Sequence, residues 1–140
     1  MYYFAYASNL NRKQMSERAP SAKPRFSATL PNYKLIFSGW SRRWRGAVAS
    51  IQQSRGDKVM GGIYEISEQD LARLSQFEGP DYTTAKVITF RDTGEAVEAI
   101  TFARKRQGDE GKPSAEYLAV IKQGYIDWDL TGDSDRNDRY

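Results

Sequence analysis

Turn signals cut the middle of this chain into strand-length pieces, and that spacing limits what it can fold into. Residues 25–30 and 33–38 flank Pro31-Asn32, while residues 47–53 and 59–66 flank Ser54-Arg55-Gly56-Asp57. Each pair reads as a β-hairpin, because proline, asparagine, aspartate and glycine supply the backbone conformations that a reversal needs. Two more strand-like runs, 82–91 and 96–103, surround Asp92-Thr93-Gly94. Helices are confined to short windows. Residues 11–19 form the first, stopped by Pro20, whose ring disfavours helical backbone in the residue before it. Ser67 opens the second as a hydroxyl cap with Asp70 three residues on; Leu71, Leu74 and Phe77 repeat along it as an inward face, and Gly79-Pro80 ends it. Ser114 opens the last, with Tyr117, Val120 and Ile121 facing inward. Hairpins interleaved with a few short helices predict an α+β domain, a curled or barrel-like mixed sheet with helices at one side.

A chain of 140 residues suits one domain with a single core, residues 1–130, and the polar stretch 131–140 is expected to be a disordered tail. No leader-like segment and no long apolar run is visible, so a soluble, cytoplasmic protein without a membrane partner is expected. Cysteine and histidine are both absent. Thiolate nucleophiles, disulfides, Ser-His triads and metal sites built on Cys or His are thereby excluded. Any chemistry falls to carboxylate, tyrosine and backbone groups, and neither metal nor cofactor is expected. The net charge of +3 comes with interspersed signs. It suits solubility and a mild attraction for acidic small molecules better than a nucleic-acid footprint.

Trp40-Ser41-Arg42-Arg43-Trp44-Arg45-Gly46 is the densest basic-aromatic run. Such interleaving can hold single-stranded nucleic acid; the simpler reading is a solvated loop with Trp44 anchored in the core, bordering a pocket and attracting a carboxylate. Residues 104–112 read as a surface loop, and by position as a lid. Strand edges offer a surface for a homodimer.

Two segments carry the chemical interest. Tyr3-Phe4-Ala5-Tyr6-Ala7-Ser8-Asn9-Leu10 reads as a short apolar strand running into a polar turn and a helix start. Unpaired N–H groups there favour an anion, and the same letters fit an ordinary strand-turn-helix link with Ser8 or Asn9 as cap. Glu78 lies in the last turn of the second helix, where the macrodipole disfavours negative charge, and follows Phe77. Both features favour a raised pKa suited to proton transfer. A solvent-facing glutamate before a helix stop fits the same letters.

The first segment closely resembles Y-F-A-Y-G-S-N-L, the opening signature of the γ-glutamylcyclotransferase family, whose loop holds the γ-glutamyl part of the substrate. Residues 30–37, Trp44-Arg45-Gly46-Ala47-Val48-Ala49, residues 56–61, Leu74-Ser75-Gln76-Phe77-Glu78-Gly79 and Pro113-Ser114-Ala115-Glu116-Tyr117 are similar to the family's later landmarks, in order. The resemblance implies a small β-barrel with flanking short helices and a cofactor-free enzyme acting on a small γ-glutamyl compound. It implies Glu78 as general acid/base, the loop from Tyr3 through Phe4, Ala5, Tyr6, Ala7, Ser8 and Asn9 to Leu10 as substrate holder, and Tyr82 and Tyr117 as pocket tyrosines. The implied reaction closes a γ-glutamyl amino acid or amide to 5-oxoproline and frees the amine. γ-Glutamylamines and biosynthetic γ-glutamyl intermediates remain alternative substrates, and a non-catalytic module binding a small anion or a protein remains a different class. Two letters depart from the pattern: Ala7 stands for the loop glycine, and Ser75 for an acid beside the helix end.

Overall fold

The computed structural model describes residues 1–106 and 108–130. The expected tail, 131–140, lies outside the described residues. Five strands, β1 (Tyr2–Ala5), β2 (Lys23–Ser41), β3 (Gly46–Glu65), β4 (Tyr82–Phe90) and β5 (Ala96–Arg104), close into a barrel in the order β1-β3-β2-β4-β5. A 3-10 turn (Ser8–Leu10) and helices α1 (Arg12–Arg18), α2 (Glu68–Glu78) and α3 (Ala115–Asp127) flank it. β1 runs antiparallel to β3, with Tyr3 opposite Tyr64, and parallel to β5, with Tyr3 opposite Ile100. This is the α+β barrel that the pattern of short strands and helices predicts.

The two expected central hairpins are instead one long hairpin. β2 and β3 pair from Lys23↔Glu65 to Ser41↔Gly46, and the reversal falls at residues 42–45. Pro31-Asn32 and residues 54–57 face each other across the ladder, whose register jumps from Pro31↔Lys58 to Tyr33↔Gln53. Asn32 (φ 65°) and Gly56 (φ 88°) are both left-handed, and the Gly56 N–H donates to Asn32 Oδ1 at 3.1 Å. A bulge draws on the same positive φ as a tight turn, so these residues bend both strands together. The actual reversal carries arginine and tryptophan. It is held by Arg45 N–H to the Ser41 carbonyl (2.7 Å) and Trp44 N–H to Ser41 Oγ (3.1 Å).

All five strands contribute to one core cluster, through Phe4, Leu30, Ile51, Ile63, Val87 and Ala99 among others, which places it inside the barrel; Tyr117 and Ile121 of α3 complete it. Alternate residues of β1 turn the other way, as strand pleating requires. Tyr3 and Ala5 join Leu10, Met15, Tyr64, Leu74 and Trp128 between the sheet and the helices. Helix starts follow the local chemistry. Ser67 and Asp70 form a reciprocal capping box on α2, and Ser114 Oγ accepts from Tyr117 N–H on α3. Along α2 only Leu74 of the expected apolar face is fully buried; Phe77 is 46% exposed and stands beside guanidinium groups. The described part of the expected lid is tied down: Gly39 N–H donates to the Asp109 carbonyl, Gly111 N–H to Phe37 and Ala47 N–H to Lys112. It forms a wall against β2 and β3. Among the described residues no helix is long and apolar enough to cross a membrane.

Candidate active site

The strand-to-helix passage after β1 is built differently from a simple capped helix. Leu10 N–H donates to the Ala7 carbonyl and Asn11 N–H to Ser8, closing the 3-10 turn. Asn11, rather than Ser8 or Asn9, then caps α1 by accepting from Gln14 N–H at 3.0 Å. Ala7 has φ −136°, outside the left-handed region, so its Cβ carries no positive-φ penalty. Among the described residues the backbone N–H groups of Ala7, Ser8 and Asn9 find no acceptor, and all three residues border one cavity. Three unspent amides in one short turn are able to donate to an anionic group.

Asn9 fixes this turn. Its Nδ2 donates to the Tyr3 hydroxyl (2.8 Å), its Oδ1 accepts from Arg18 Nη1 (3.1 Å) and Gln14 Nε2 (3.2 Å), and its carbonyl accepts from the Tyr64 hydroxyl (3.0 Å). With its side chain so engaged, Asn9 orients the loop. α3 packs directly beneath, where Gly124 lets Leu10 and Asn11 approach the helix.

The cavity, about 170 Å³, is small beside the roughly 300–1,000 Å³ typical of drug-sized ligands, which suits one amino-acid-sized group. Glu78, the last residue of α2, borders it. Gly79 (φ 87°) turns the chain away there, a conformation that a Cβ would strain. Burial pushes the Glu78 carboxyl up to about 7, with the Arg18 guanidinium pulling in the opposite direction. The helix end acts in the same sense as burial. Among the described residues no hydrogen bond reaches this carboxylate, which leaves both oxygens available to a ligand.

Four tyrosines surround it, in two kinds. Tyr6 and Tyr82 donate their hydroxyl protons to the carbonyls of Phe102 and Ala49, each at 2.7 Å. Tyr117 accepts from Ala49 N–H (3.0 Å) and Tyr3 accepts from Asn9, so both keep a proton to give. Burial raises the Tyr117 hydroxyl to about 12, and raises Tyr3, Tyr6 and Tyr82 as well. All four remain protonated at neutral pH. Ala49 thus anchors two pocket tyrosines through its own N–H and carbonyl.

Of the residues singled out in the sequence, Tyr3, Tyr6, Ala7, Ser8, Asn9, Glu78, Tyr82 and Tyr117 border the cavity. Phe4, Ala5 and Leu10 do not. Each is fully buried, Phe4 in the barrel interior and the other two beneath the helices. Sequence reasoning missed Arg18, Arg104 and the pocket-side role of Phe77. Arg18 is 5% exposed, and its spacing of three from the buried Met15 was the available signal that an arginine lies on an inward helix face. Trp44 does pack on the core and border the cavity, its ring centre 4.8 Å from that of Tyr117. Among the described residues no three potential metal ligands converge.

Residues 3–125 match the family model for γ-glutamyl cyclotransferase, AIG2-like proteins. The γ-glutamylcyclotransferase of Mus musculus is 30% identical over 129 residues, which span 87% of this chain and 68% of that protein; the Homo sapiens protein gives the same figures. A solved γ-glutamyl cyclotransferase structure superposes with a TM-score of 0.91 at 27% identity, covering 98% of this chain and 85% of the other.

Proposed function

The chain belongs to the γ-glutamyl cyclotransferase, AIG2-like family, and from that premise we propose that it closes a γ-glutamyl amide to 5-oxoproline and releases the free amine. The observation that carries this reading is Glu78: a carboxylate bordering a small cavity, raised to about 7, with no hydrogen bond from the described residues.

A γ-glutamyl amide carries its own nucleophile, because its α-amine reaches its γ-carbonyl and closes a five-membered ring. That amine is protonated at neutral pH, and the departing amine needs a proton. Glu78 as carboxylate takes a proton from the α-ammonium; the nitrogen lone pair then forms the bond to the γ-carbon. The carboxylic acid so formed returns the proton to the leaving nitrogen as the old C–N bond breaks, and the regenerated carboxylate takes the surplus proton from the ring nitrogen and passes it to the freed amine, which departs as the ammonium. One group near neutrality serves all of these transfers. The N–H groups of Ala7, Ser8 and Asn9 clamp the substrate's α-carboxylate and fold the chain toward its near-attack shape. Tyr117, with its oxygen held by Ala49 and its proton uncommitted, is placed to support the oxyanion that develops on the γ-carbonyl.

Product analysis tests the reading. Incubation with γ-glutamyl amino acids and γ-glutamylamines is expected to yield 5-oxoproline and free amine in equal amounts. Free glutamate instead would mean hydrolysis, and no product from any compound would remove the enzyme reading.

The pH dependence follows from the charges around Glu78. kcat/KM is expected to rise as pH passes through about 7, because the free enzyme needs the carboxylate form. Replacing Arg18 by methionine removes the group that pulls this pKa down, so the rise should move to higher pH. An unmoved or lowered inflection in Arg18→Met would show that the guanidinium does not act on Glu78.

A further inference from the structure

The mouth of the cavity carries residues that ring closure does not use. Trp40 and Arg43, at the end of the β2–β3 hairpin, border the cavity together with Phe77 of α2. Trp40 is 71% exposed and Phe77 46%, so ring surface is open to a ligand at this mouth. The Arg43 guanidinium lies 5.6 Å from the Trp44 ring centre and 6.0 Å from that of Phe77. The ion pairs among the described residues are Arg25–Glu65 and Arg91–Glu95, so Arg43 has no carboxylate partner there.

Other cations border the same space. Arg18 lies 4.9 Å from the centre of the Phe77 ring, and the Arg43 charge bears unfavourably on it. Arg104 donates through Nη1 to the Ser38 carbonyl at 2.8 Å and is seated against Gly39, where any Cβ would collide with it. Three guanidinium groups against two carboxylates, Glu78 and Asp81, leave the cavity short of negative charge. The substrate's α-carboxylate is already met by the loop amides, so the deficit at the mouth calls for a second anion. The hairpin end is held in place by the Ser41 hydrogen bonds described above, which makes it a fixed rim.

Resting on the cyclotransferase reading, we propose that Arg43, Trp40 and Phe77 select the leaving amine: Arg43 takes a carboxylate that the amine carries, and the exposed rings stack on its side chain. The preferred leaving group is then an aromatic α-amino acid, ahead of neutral or cationic amines. A cationic amine would meet the arginines with like charge, and a neutral one would leave Arg43 unmatched.

The test compares γ-glutamylphenylalanine with γ-glutamylphenethylamine, which lacks only the carboxylate, and with γ-glutamylalanine, which lacks only the ring. The native protein should prefer the phenylalanine compound over each by about tenfold in kcat/KM. Arg43→Gln should bring the carboxylate preference close to one, Arg43→Lys should keep much of it, and Trp40→Ala should reduce the ring preference alone. Equal rates on all compounds, or ratios unchanged in Arg43→Gln, would overturn the assignment. Binding of the same compounds to Glu78→Gln, followed by tryptophan fluorescence, separates this inference from the function it rests on. Selective binding without turnover in the native protein would refute cyclisation and leave the rim assignment standing. Turnover without selectivity would refute the rim alone, and neither binding nor turnover would refute both.

Discussion

Glu78→Gln should lower kcat by roughly 10³-fold while changing the affinity for a γ-glutamyl compound little. The amide keeps the shape and volume of the carboxyl, so the cavity is preserved, but it neither accepts the ammonium proton nor supplies one to the leaving amine. The same variant should also alter stability, with a sign fixed by the shift. The folded-state value of about 7 lies above the ordinary 4.5, so folding favours the protonated carboxyl. This contribution is fully present below about 4.5 and is lost as pH rises through about 7. Above that point the native protein carries a buried charge that the neutral amide of the variant avoids. Relative to native, Glu78→Gln should therefore gain up to about 3 kcal/mol between acidic pH and pH 8. Urea unfolding at both pH values measures the difference; a stability gap that does not change with pH would show that Glu78 is not buried as a charge. Lost turnover together with increased stability is the pattern expected of a group kept for chemistry at a cost to the fold.

The second large effect is expected at Gly124. Within a helix, glycine to alanine gains about 1 kcal/mol from backbone entropy. At this position the added Cβ would lie 2.6 Å from the Asn11 backbone nitrogen and 2.6 Å from Leu10 Cβ. Those atoms belong to the end of the 3-10 turn and the cap of α1, which have little freedom to retreat. The clash should outweigh the propensity gain, and Gly124→Val should destabilise the protein by roughly 2 to 3 kcal/mol. Because the displaced segment carries Ser8 and Asn9, KM should rise more than kcat falls. Unchanged stability would mean that α3 does not hold Leu10 and Asn11 in close contact.

What could be read from the sequence was local chemistry. Ser67 with Asp70, Ser114 before Tyr117, and the turn at residues 92–94 each act through neighbours within a few positions, so spacing was enough to find them. Pro31-Asn32 and Gly56 were visible as sites of unusual backbone, but their use was not. Whether a positive φ reverses a strand or bends it depends on the partner strand, here Asn32 against Gly56. The Tyr3–Leu10 stretch matched a family signature as a continuous string, yet a strand sends alternate residues to opposite faces. Phe4 and Ala5 therefore enter two different cores while Tyr3 and Tyr6 reach the cavity. Arg18, Arg43 and Arg104 come from α1, the β2–β3 turn and the end of β5. Only barrel closure brings them to one opening, and no spacing along the chain records it.

The proposed reaction turns on one proton site, and its titration can be observed without any substrate. Carbon-13 NMR of the glutamate side-chain carboxyls, with the Glu78 signal identified by its loss in Glu78→Gln, would follow that group directly through acid and neutral pH. A midpoint near 7 is expected. A midpoint in the ordinary glutamate range, near about 4.3, would contradict the account, because Glu78 would then be a solvated carboxylate too weak as a base to take the substrate's ammonium proton.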